Sequence, residues 1–407
     1  MTKVGSLVVL INFIIVVVVL PHLLIADNYS KVFISYITII VLCSYILYRN
    51  WTLAIKSINS SNLLKSINIF LVYLSIHYLV AILRGIPHIT FVYLVQIGWV
   101  FCANAFYVYG LSKKVDFTSF EKRMAAIGLC LVLYLFFKQL SFSFDMVSVV
   151  TDSSVAAEFI NINPYILASL TGILFLFKRH KVIIPLAVLI ILVGILITGK
   201  RGPLVSIMGA VLVITILHNG FFAKIKIFAL LTVMCFIIYV IVIAYYPTTI
   251  DYLVNRMIED DTESLGSGRV GAWIKGYEIW SDMGIFVVLF GMGTGTVNML
   301  MYKAWGLAVG AHSDFFDVLF QYGYVGLFFQ LIYCLKIVVI ILRAKNKPYS
   351  NSFKYIAAFI LISMVYTMSY SSPSMIISST LLFYYLGRMK FLLQEKQNRI
   401  VNKNKIL

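Results

Sequence analysis

The chain has 407 residues, of which 61% are hydrophobic and only 12% are charged. Soluble domains carry about a quarter charged residues, so this composition excludes a soluble globular protein and indicates a polytopic membrane protein. The formal net charge is +17, but its distribution along the chain is typical of membrane topology rather than of nucleic-acid binding.

Apolar runs of transmembrane length recur along the whole chain. A spanning helix needs about 20 apolar residues, and backbone groups in lipid must be paired internally, so each run is predicted to be helical. The runs cover residues 5–25, 32–48, 66–83, 91–111, 124–143, 164–177, 182–198, 203–218, 227–245, 315–337, 353–370 and 374–391. The predicted fold is therefore an all-α polytopic integral membrane protein of about twelve transmembrane helices, forming a single transmembrane domain over residues 1–407.

The basic residues are distributed asymmetrically about these runs. With the N-terminus inside, the inner loops and the C-terminal tail hold 24 of the 33 Lys and Arg residues, against three acidic residues. Because membrane proteins retain positive charge on the cytoplasmic side, both termini are predicted to be cytoplasmic. The basic excess is then a signature of the cytoplasmic leaflet, and no nucleic-acid partner is predicted.

The cysteines indicate neither a disulfide framework nor a metal centre. All five fall inside apolar runs, where cysteine behaves as a small buried hydrophobe, and no CxxC or Cys/His ligand spacing occurs. No metal and no cofactor is predicted.

The main polar stretch is predicted to be a large extracytoplasmic loop over residues 246–314. Two of its segments carry apolar residues at helical spacing, one on each side of Gly266-Ser267-Gly268. The residues concerned are Ile250, Leu253, Val254, Met257 and Ile258 in the first segment and Val270, Trp273, Tyr277 and Trp280 in the second. Short amphipathic helices on the outer membrane surface would produce these patterns.

Several Lys and Arg residues fall on the outer side despite the prevailing asymmetry, and these are candidates for binding an anion. Lys200 and Arg201 lie in a Gly- and Pro-containing turn between two apolar runs, and the others are Arg84, Arg256 and Arg269. Arginine suits phosphate because its planar fork makes two charge-assisted hydrogen bonds. The alternative is that these side chains are anchors whose charged ends reach the interface.

His312 is the candidate general base. It precedes an Asp314-x-x-Asp317 pattern, in which Asp314 is predicted to be the N-cap of the next helix and Asp317 a reciprocal acid at N3. A helix N-terminus disfavours imidazolium, which would keep the ring neutral and available as a base. The alternative is that His312 only marks the helix start. His77, in the middle of the third run, is predicted to have a packing role.

The sequence Gly291-Met292-Gly293-Thr294-Gly295-Thr296 has the composition of a phosphate-binding loop. No strand precedes it, and an all-helical membrane protein has no βαβ unit, so a dinucleotide site is excluded. The run is predicted to be a flexible turn that allows close backbone approach.

Taken in chain order, these motifs resemble those of the bacterial O-antigen polymerase and O-antigen ligase superfamily. Residues 197–204 are similar to the family's Ser/Lys-Arg-Gly turn between two helices. A long outer loop carrying Arg269 and Trp273 follows. Residues 311–316 then look like the family's His-Asn/Ser-Asp motif, and residues 322–327 like its Gly-hydrophobic-hydrophobic-Gly helix.

The resemblance implies glycosyl transfer at a site facing the periplasm or exterior of the bacterial cytoplasmic (inner) membrane. The implied donor is an undecaprenyl-diphosphate-linked oligosaccharide. The acceptor is a second lipid-linked repeat unit for a polymerase, or the lipid A-core for a ligase. His312 would deprotonate or orient the acceptor hydroxyl, supported by Asp314, in a metal-free transfer with inversion. The residues implied to hold the donor diphosphate are Arg201, Arg269, Lys200, Arg84 and Arg256.

A polymerase of O-antigen or capsule repeat units is predicted in preference to a ligase, because residues 200–203 and 312–315 look closer to the polymerase motifs. The implied partners are membrane lipid, a chain-length regulator and a flippase. The competing hypothesis from another class is that the chain is itself a lipid-linked oligosaccharide flippase. A flippase would place charged groups deep in a central cavity, whereas this chain concentrates its polar residues in one outer loop.

Overall fold

The computed structural model describes residues 28–83, 89–112, 201–217, 269–306, 311, 313–344, 350–366 and 373–404, with single residues between 229 and 240. All regular secondary structure in these segments is helical. The helices are α1 (Asn28–Arg49), α2 (Trp51–Ser60), α3 (Asn62–Leu83), α4 (Ile89–Leu111), α5 (Arg201–Leu217), α6 (Arg269–Ser281), α7 (Ile285–Phe290), α8 (Val297–Trp305), α9 (Asp314–Arg343), α10 (Ser350–Tyr366) and α11 (Pro373–Asn404).

The predicted all-helical membrane architecture is confirmed for these segments. Seven predicted apolar runs fall on α1, α3, α4, α5, α9, α10 and α11. Four others lie outside the described residues, and the run over residues 227–245 is described only at isolated helical positions. Within the described part, α3 and α9 are long and apolar enough to cross a membrane, and a third crossing results if α1 and α2 are counted as one bent span. The total number of spans and their orientation stay predictions.

The bend between α1 and α2 shows that residues 51–60, predicted only as part of an inner loop, form a helix of their own. The two axes differ by 95°. Ala54 and Ser57 are buried on one face of α2, whereas Trp51 and Ile55 are exposed. An amphipathic helix nearly perpendicular to an apolar one is the arrangement of a helix that lies in the membrane interface.

The bundle core is built around the close pairing of α4 with α11. A side chain at Gly110 would collide with the Tyr384 carbonyl oxygen, and one at Gly387 would collide with the Tyr107 carbonyl oxygen. In lipid, where apolar burial drives helix association little, small residues permit this backbone approach and the dispersion contacts that follow from it. The two glycines are therefore the positions at which the crossing is most sensitive to side-chain volume.

Polar side chains add hydrogen bonds between the other helices of the bundle. Asn68 of α3 and Asn104 of α4 exchange amide hydrogen bonds of 3.1 and 2.9 Å. The Ser363 hydroxyl of α10 donates to Ser206 Oγ of α5 at 2.9 Å. Such pairs are each worth about 0.6 kcal/mol inside a membrane protein, so their main effect is to fix the register of the helices.

We predict that Gly110→Ala and Gly387→Ala each destabilise the protein, because the added methyl group meets backbone atoms that cannot move independently. Overpacking of this kind costs about 1–3 kcal/mol. The measurement is the apparent unfolding temperature of purified protein in detergent. Gly209→Ala is the matched control, because the atom nearest its new methyl group is the terminal Cδ1 of Ile362, at 2.5 Å. A Gly209→Ala variant as unstable as the other two would contradict this account of the crossing.

Candidate functional site

The second predicted amphipathic helix of the outer loop is confirmed as α6, which begins at Arg269. Ala272, Gly276 and Trp280 are buried on one face, and Tyr277 is exposed. This face packs into a second apolar cluster, here called the loop core, which is separate from the bundle core. The buried members of the loop core are Trp280, Val297, Leu300, Met301, Ala304, Ala311, Leu319 and Phe320. The predicted first amphipathic helix, over residues 250–258, lies outside the described residues.

Both backbone polar groups of Ala311, the residue that precedes His312, are hydrogen-bonded. The Trp273 indole Nε1–H donates to the carbonyl oxygen of Ala311 at 2.6 Å, and the Ala311 N–H donates to Asp317 Oδ1 at 2.9 Å. The Trp273 ring also stacks on Phe316, with centroids 4.8 Å apart and planes 21° apart. We call this arrangement the Ala311 clamp. It joins α6 to the first turn of α9. Arg269 is the first residue of α6 and Asp314 is the first residue of α9, so these two predicted site residues belong to one packed unit.

The start of α9 corrects the predicted cap. The helix begins at Asp314, and the N-cap residue is Ser313, with extended φ and ψ of −150° and 125° and no side-chain capping bond. The Asp317 N–H donates to the Ser313 carbonyl oxygen at 2.8 Å. Asp317 is therefore at N4 rather than N3, and its carboxylate reaches the N–H of Ala311 instead of that of the cap residue. A capping box, in which an N3 acid binds the N-cap N–H, is not formed.

The helix α9 is broken at Gly323, which has φ 67° and ψ −170°. The predicted apolar run over residues 315–337 is therefore two helical arms rather than one helix. The arm after the break, residues 324–343, is roughly 30 Å long at 1.5 Å per residue, which alone matches the hydrocarbon thickness. The arm before the break, residues 314–322, packs between the two cores: Val318 and Tyr322 belong to the bundle core, and Leu319 and Phe320 to the loop core.

The break leaves carbonyl groups without helical partners, and other segments supply the donors. The carbonyl oxygen of Phe320 accepts from the Met292 N–H at 3.0 Å, and that of Gln321 accepts from the Gly293 N–H at 2.9 Å. The carbonyl oxygen of Tyr322 accepts from the Tyr73 hydroxyl of α3 at 2.8 Å. An unsatisfied backbone group costs several kcal/mol in lipid, so these donors are what permit the break.

The glycine-rich run supplies two of those donors, and its predicted close backbone approach is confirmed. Its partner is α9 of the same chain. A side chain on Gly291 would collide with the Gln321 carbonyl, and one on Gly323 would collide with the Leu289 carbonyl. The side-chain oxygen of Gln321 also accepts from the Gly295 N–H at 2.7 Å. The run therefore binds the broken helix through its backbone, and we call this contact the latch.

The first residue of α5 is Arg201. Ser206, in the second turn of α5, accepts a hydrogen bond from Ser363 near the end of α10. The start of α5 therefore lies beside the end of α10.

The predicted site residues divide into those that the structure describes and those that it does not. Arg269 is half-buried, and Asp314 is fully buried at the first position of α9. His312, Lys200, Arg84 and Arg256 lie outside the described residues, as does the side chain of Arg201. His77 packs beside the helix break, with its ring centroid 4.7 Å from that of Tyr73 and 5.3 Å from that of Tyr322, which confirms the predicted packing role.

Sequence analysis did not predict the contacts that hold this arrangement together. Tyr73 and Gln321 satisfy backbone groups at the break, and Trp273 and Asp317, which were named for other roles, bond to the backbone of Ala311. The only signals were a polar Gln321 inside an apolar run and an indole at the start of an amphipathic pattern. Neither signal predicts which residue the side chain will contact, because that residue is distant in the sequence.

The O-antigen ligase family model (Wzy_C) matches residues 186–331, which include α5 to α8 and the broken region of α9. This match supports the resemblance of the chain to the O-antigen polymerase and ligase superfamily. The members of this family are glycosyltransferase-like enzymes of the membrane, with lipid-linked oligosaccharides as substrates. The matched segment includes the positions of Arg201, Arg269 and His312, and it does not separate polymerases from ligases. No curated protein matches the chain.

We predict that Gly291→Ala loosens the latch between the glycine run and α9. An L-residue at the Gly291 φ of 83° is strained by about 1–2 kcal/mol, and the methyl group would also meet the backbone of Gln321. The measurement is the rate of limited proteolysis within residues 283–306.

The control is Gly293→Ala, because Gly293 has a φ of 101° with no atom within 4 Å of the added methyl group. It carries the conformational cost without the collision. Equal proteolysis rates for the two variants would show that the contact with α9 does not hold the run.

Proposed function

We propose that the protein is a polysaccharide polymerase that joins undecaprenyl-diphosphate-linked O-antigen or capsule repeat units on the outer face of the cytoplasmic membrane. The observation that carries this proposal is the Ala311 clamp. It fixes the peptide next to His312 against the helix that begins at Arg269, and thereby ties a candidate base to a candidate phosphate ligand.

The reaction needs one base and a cationic site for the leaving group. The acceptor hydroxyl oxygen attacks the anomeric carbon of the donor glycan, while the bond from that carbon to the diphosphate oxygen breaks. His312 takes the hydroxyl proton, and undecaprenyl diphosphate leaves with the electron pair. Attack from the face opposite the leaving group inverts the anomeric configuration. Fixed cations near the diphosphate stabilise the charge that develops on it, and a positioned base contributes the proton transfer.

The assigned roles follow the charges of the site. Arg201 and Arg269 hold the diphosphate, with Lys200, Arg84 and Arg256 as further cations. Asp314 supports the histidine segment from the first position of α9. No metal is assigned a role, because arginine forks and one imidazole supply the required charge and the base.

The part of the outer loop next to the helix break suits a lipid-linked substrate. Residues 283–302 contain no charged residue, although they lie within the stretch predicted to be a polar loop. Phe286 is 76% exposed and Met299 is 65% exposed, and α7 has no buried residue. An uncharged, exposed apolar surface on a membrane protein is the kind that contacts acyl or polyprenyl chains.

A ligase is the second candidate function, because the matching family model is described as O-antigen ligase and supports both activities equally. The donor, the cations and the base are the same for both reactions. Only the acceptor differs, a second lipid-linked repeat unit in one case and lipid A-core in the other. Deletion of a polymerase gene leaves single-repeat glycolipid, whereas deletion of a ligase gene leaves the lipid core bare, so the glycolipid profile of a deletion strain distinguishes the two.

We predict that the purified protein extends a lipid-linked repeat unit in EDTA without any nucleotide sugar. His312→Ala is expected to lower kcat by about 10²–10⁴ through loss of the base, and Arg201→Ala or Arg269→Ala by about 10²–10³ through loss of charge stabilisation. The measurement is the rate of product formation from an authentic repeat unit.

The control is Lys275→Ala, which removes an exposed cation from the same helix as Arg269 and is expected to leave the rate unchanged. Strict dependence on a divalent metal would overturn the mechanism. Wild-type rates in His312→Ala and Arg201→Ala would overturn the site assignment.

A further inference from the structure

The register of α9 against α3 sets the depth of the helix break. The Tyr73 hydroxyl donates to the Tyr322 carbonyl oxygen at 2.8 Å, and the Lys336 ammonium donates to the Asn62 carbonyl oxygen at 2.8 Å. The two helices therefore run in opposite directions, and the break in α9 lies beside Tyr73. Only the first part of the arm after the break, up to Lys336, lies alongside α3. Tyr73 is in the middle of α3, about 16 Å from Asn62 and about 15 Å from Leu83 at 1.5 Å per residue.

The bilayer covers α3 along its whole length. At one end, α2 has the arrangement of a helix in the membrane interface, and the ammonium groups of Lys336 and Lys390 bond to the turn between α2 and α3. From there to the other end, α3 exposes a stripe of apolar side chains at helical spacing, which is the kind of surface that lipid covers. The stripe consists of Ile69, Val72, Ile76, Leu79 and Leu83. Because α3 is as long as the hydrocarbon is thick, about 30 Å, the break beside its middle lies near the middle of the bilayer.

The glycine run holds the end of α7 at this depth. A side chain on Gly291 would collide with the Gln321 carbonyl, and one on Gly323 would collide with the Leu289 carbonyl, so the end of α7 touches the break. The six residues of α7 rise about 9 Å, and the three residue steps before them reach roughly 10 Å more. Asp282, the charged residue before α7, can therefore lie at headgroup level while Gly291 lies near the middle of the bilayer.

The segment from α6 to α8 lies on the side of the break towards the end of α3. His77, one turn beyond Tyr73 in α3, packs on the Tyr322 ring with centroids 5.3 Å apart, so the arm of α9 before the break extends in that direction. Trp273 of α6 bonds to Ala311, which immediately precedes this arm. Both ends of the segment therefore return to one side of the bilayer.

The helix α7 has the composition of a helix in hydrocarbon. Its sequence is Ile-Phe-Val-Val-Leu-Phe, which is apolar on every side. Its two valines pack against the loop core, whereas both phenylalanines, the isoleucine and the leucine are exposed. A helix that faces water carries polar residues on its exposed side, and one that is apolar all round belongs in a core or in a membrane. The exposed side of α7 therefore requires an apolar cover.

The irregular backbone after α7 is paired internally, as a position in hydrocarbon requires. The N–H groups of Met292 and Gly293 bond to carbonyl oxygens of α9, and that of Gly295 bonds to a side-chain oxygen of α9. Both threonine hydroxyls of the run also donate hydrogen bonds. Non-helical backbone at membrane depth is tolerated only where it is buried in protein or lines a water-filled cavity. The glycine run meets the first of these conditions.

We propose that residues 283–302 are a re-entrant membrane segment, and that hydrocarbon chains of the bilayer cover the exposed side of α7. The segment enters the bilayer from the side of the α3 C-terminus, turns near the middle at the glycine run, and leaves on the same side. In the predicted topology this is the outer half of the bilayer, so part of the predicted outer loop lies inside the membrane. The proposal holds whichever reaction the protein catalyses.

The test is spin labelling of the full-length protein in phosphatidylethanolamine and phosphatidylglycerol vesicles, with a single cysteine added at Phe286 or Phe290. Val72→Cys, next to Tyr73 on the exposed stripe of α3, is the matched reference for depth, and Lys275→Cys, exposed on α6, is the aqueous reference. Wild-type protein is the blank, because the cysteines that the structure describes are buried. We expect the labels on α7 to collide several-fold more often with oxygen than with a water-soluble nickel complex, as at Val72→Cys and in contrast to Lys275→Cys.

The other outcomes of the labelling experiment overturn the proposal. Nickel accessibility on α7 equal to that of Lys275→Cys would mean that α7 lies in water. Low accessibility to both reagents would mean that a protein surface, such as a second copy of the chain, covers α7. A further readout needs no label: Phe286→Asp is expected to lower the amount of folded protein in the membrane several-fold relative to Phe286→Leu, because a carboxylate is costly in hydrocarbon. Equal amounts of the two variants would also overturn the proposal.

Discussion

The break in α9 is the constraint on which the rest of the described structure depends. A helix in lipid can be interrupted only where other groups satisfy the backbone that the interruption exposes. Here the donors come from two directions: the glycine run after α7 bonds to Phe320 and Gln321, and Tyr73 of α3 bonds to Tyr322. Those bonds attach the segment from α6 to α8 to the bundle at the level of the break.

The consequence for the site is that the arm before the break is fixed on both faces. One face belongs to the bundle core and the other to the loop core. The Ala311 clamp extends from the start of this arm, so the backbone of Ala311 is positioned by the packing of the arm. A loop that lay freely on the membrane surface would not keep Trp273 and Asp317 hydrogen-bonded to the two backbone groups of one residue.

The comparison between prediction and structure is clearest at residues whose partners are distant. Apolar residues at helical spacing predicted α6, because a half-buried helix repeats its apolar residues every three to four positions, although Tyr277 of that pattern is exposed. The Asp314-x-x-Asp317 spacing predicted a capping box with the wrong register, because the carboxylate of Asp317 bonds to Ala311, and the local pattern does not show where the chain before the helix runs. Residues 283–302 carry no charge. They were assigned to a polar loop because the charged residues on both sides raise the average polarity of the whole stretch. The break at Gly323 was missed because an apolar run containing glycine is also compatible with a continuous helix.

The sequence by itself indicated the all-helical membrane fold and the resemblance to the O-antigen polymerase and ligase superfamily. These follow from composition, from the length of apolar runs and from short motifs, and each of them is a local property of the chain. Only the tertiary structure decided that α9 is broken, that the glycine run binds α9 of the same chain, and that Trp273 and Asp317 bond to the backbone of Ala311. Each of these depends on which donor meets which acceptor across tens or hundreds of residues. Local patterns cannot specify such a pairing, because the same donor is compatible with many acceptors until the helices have packed.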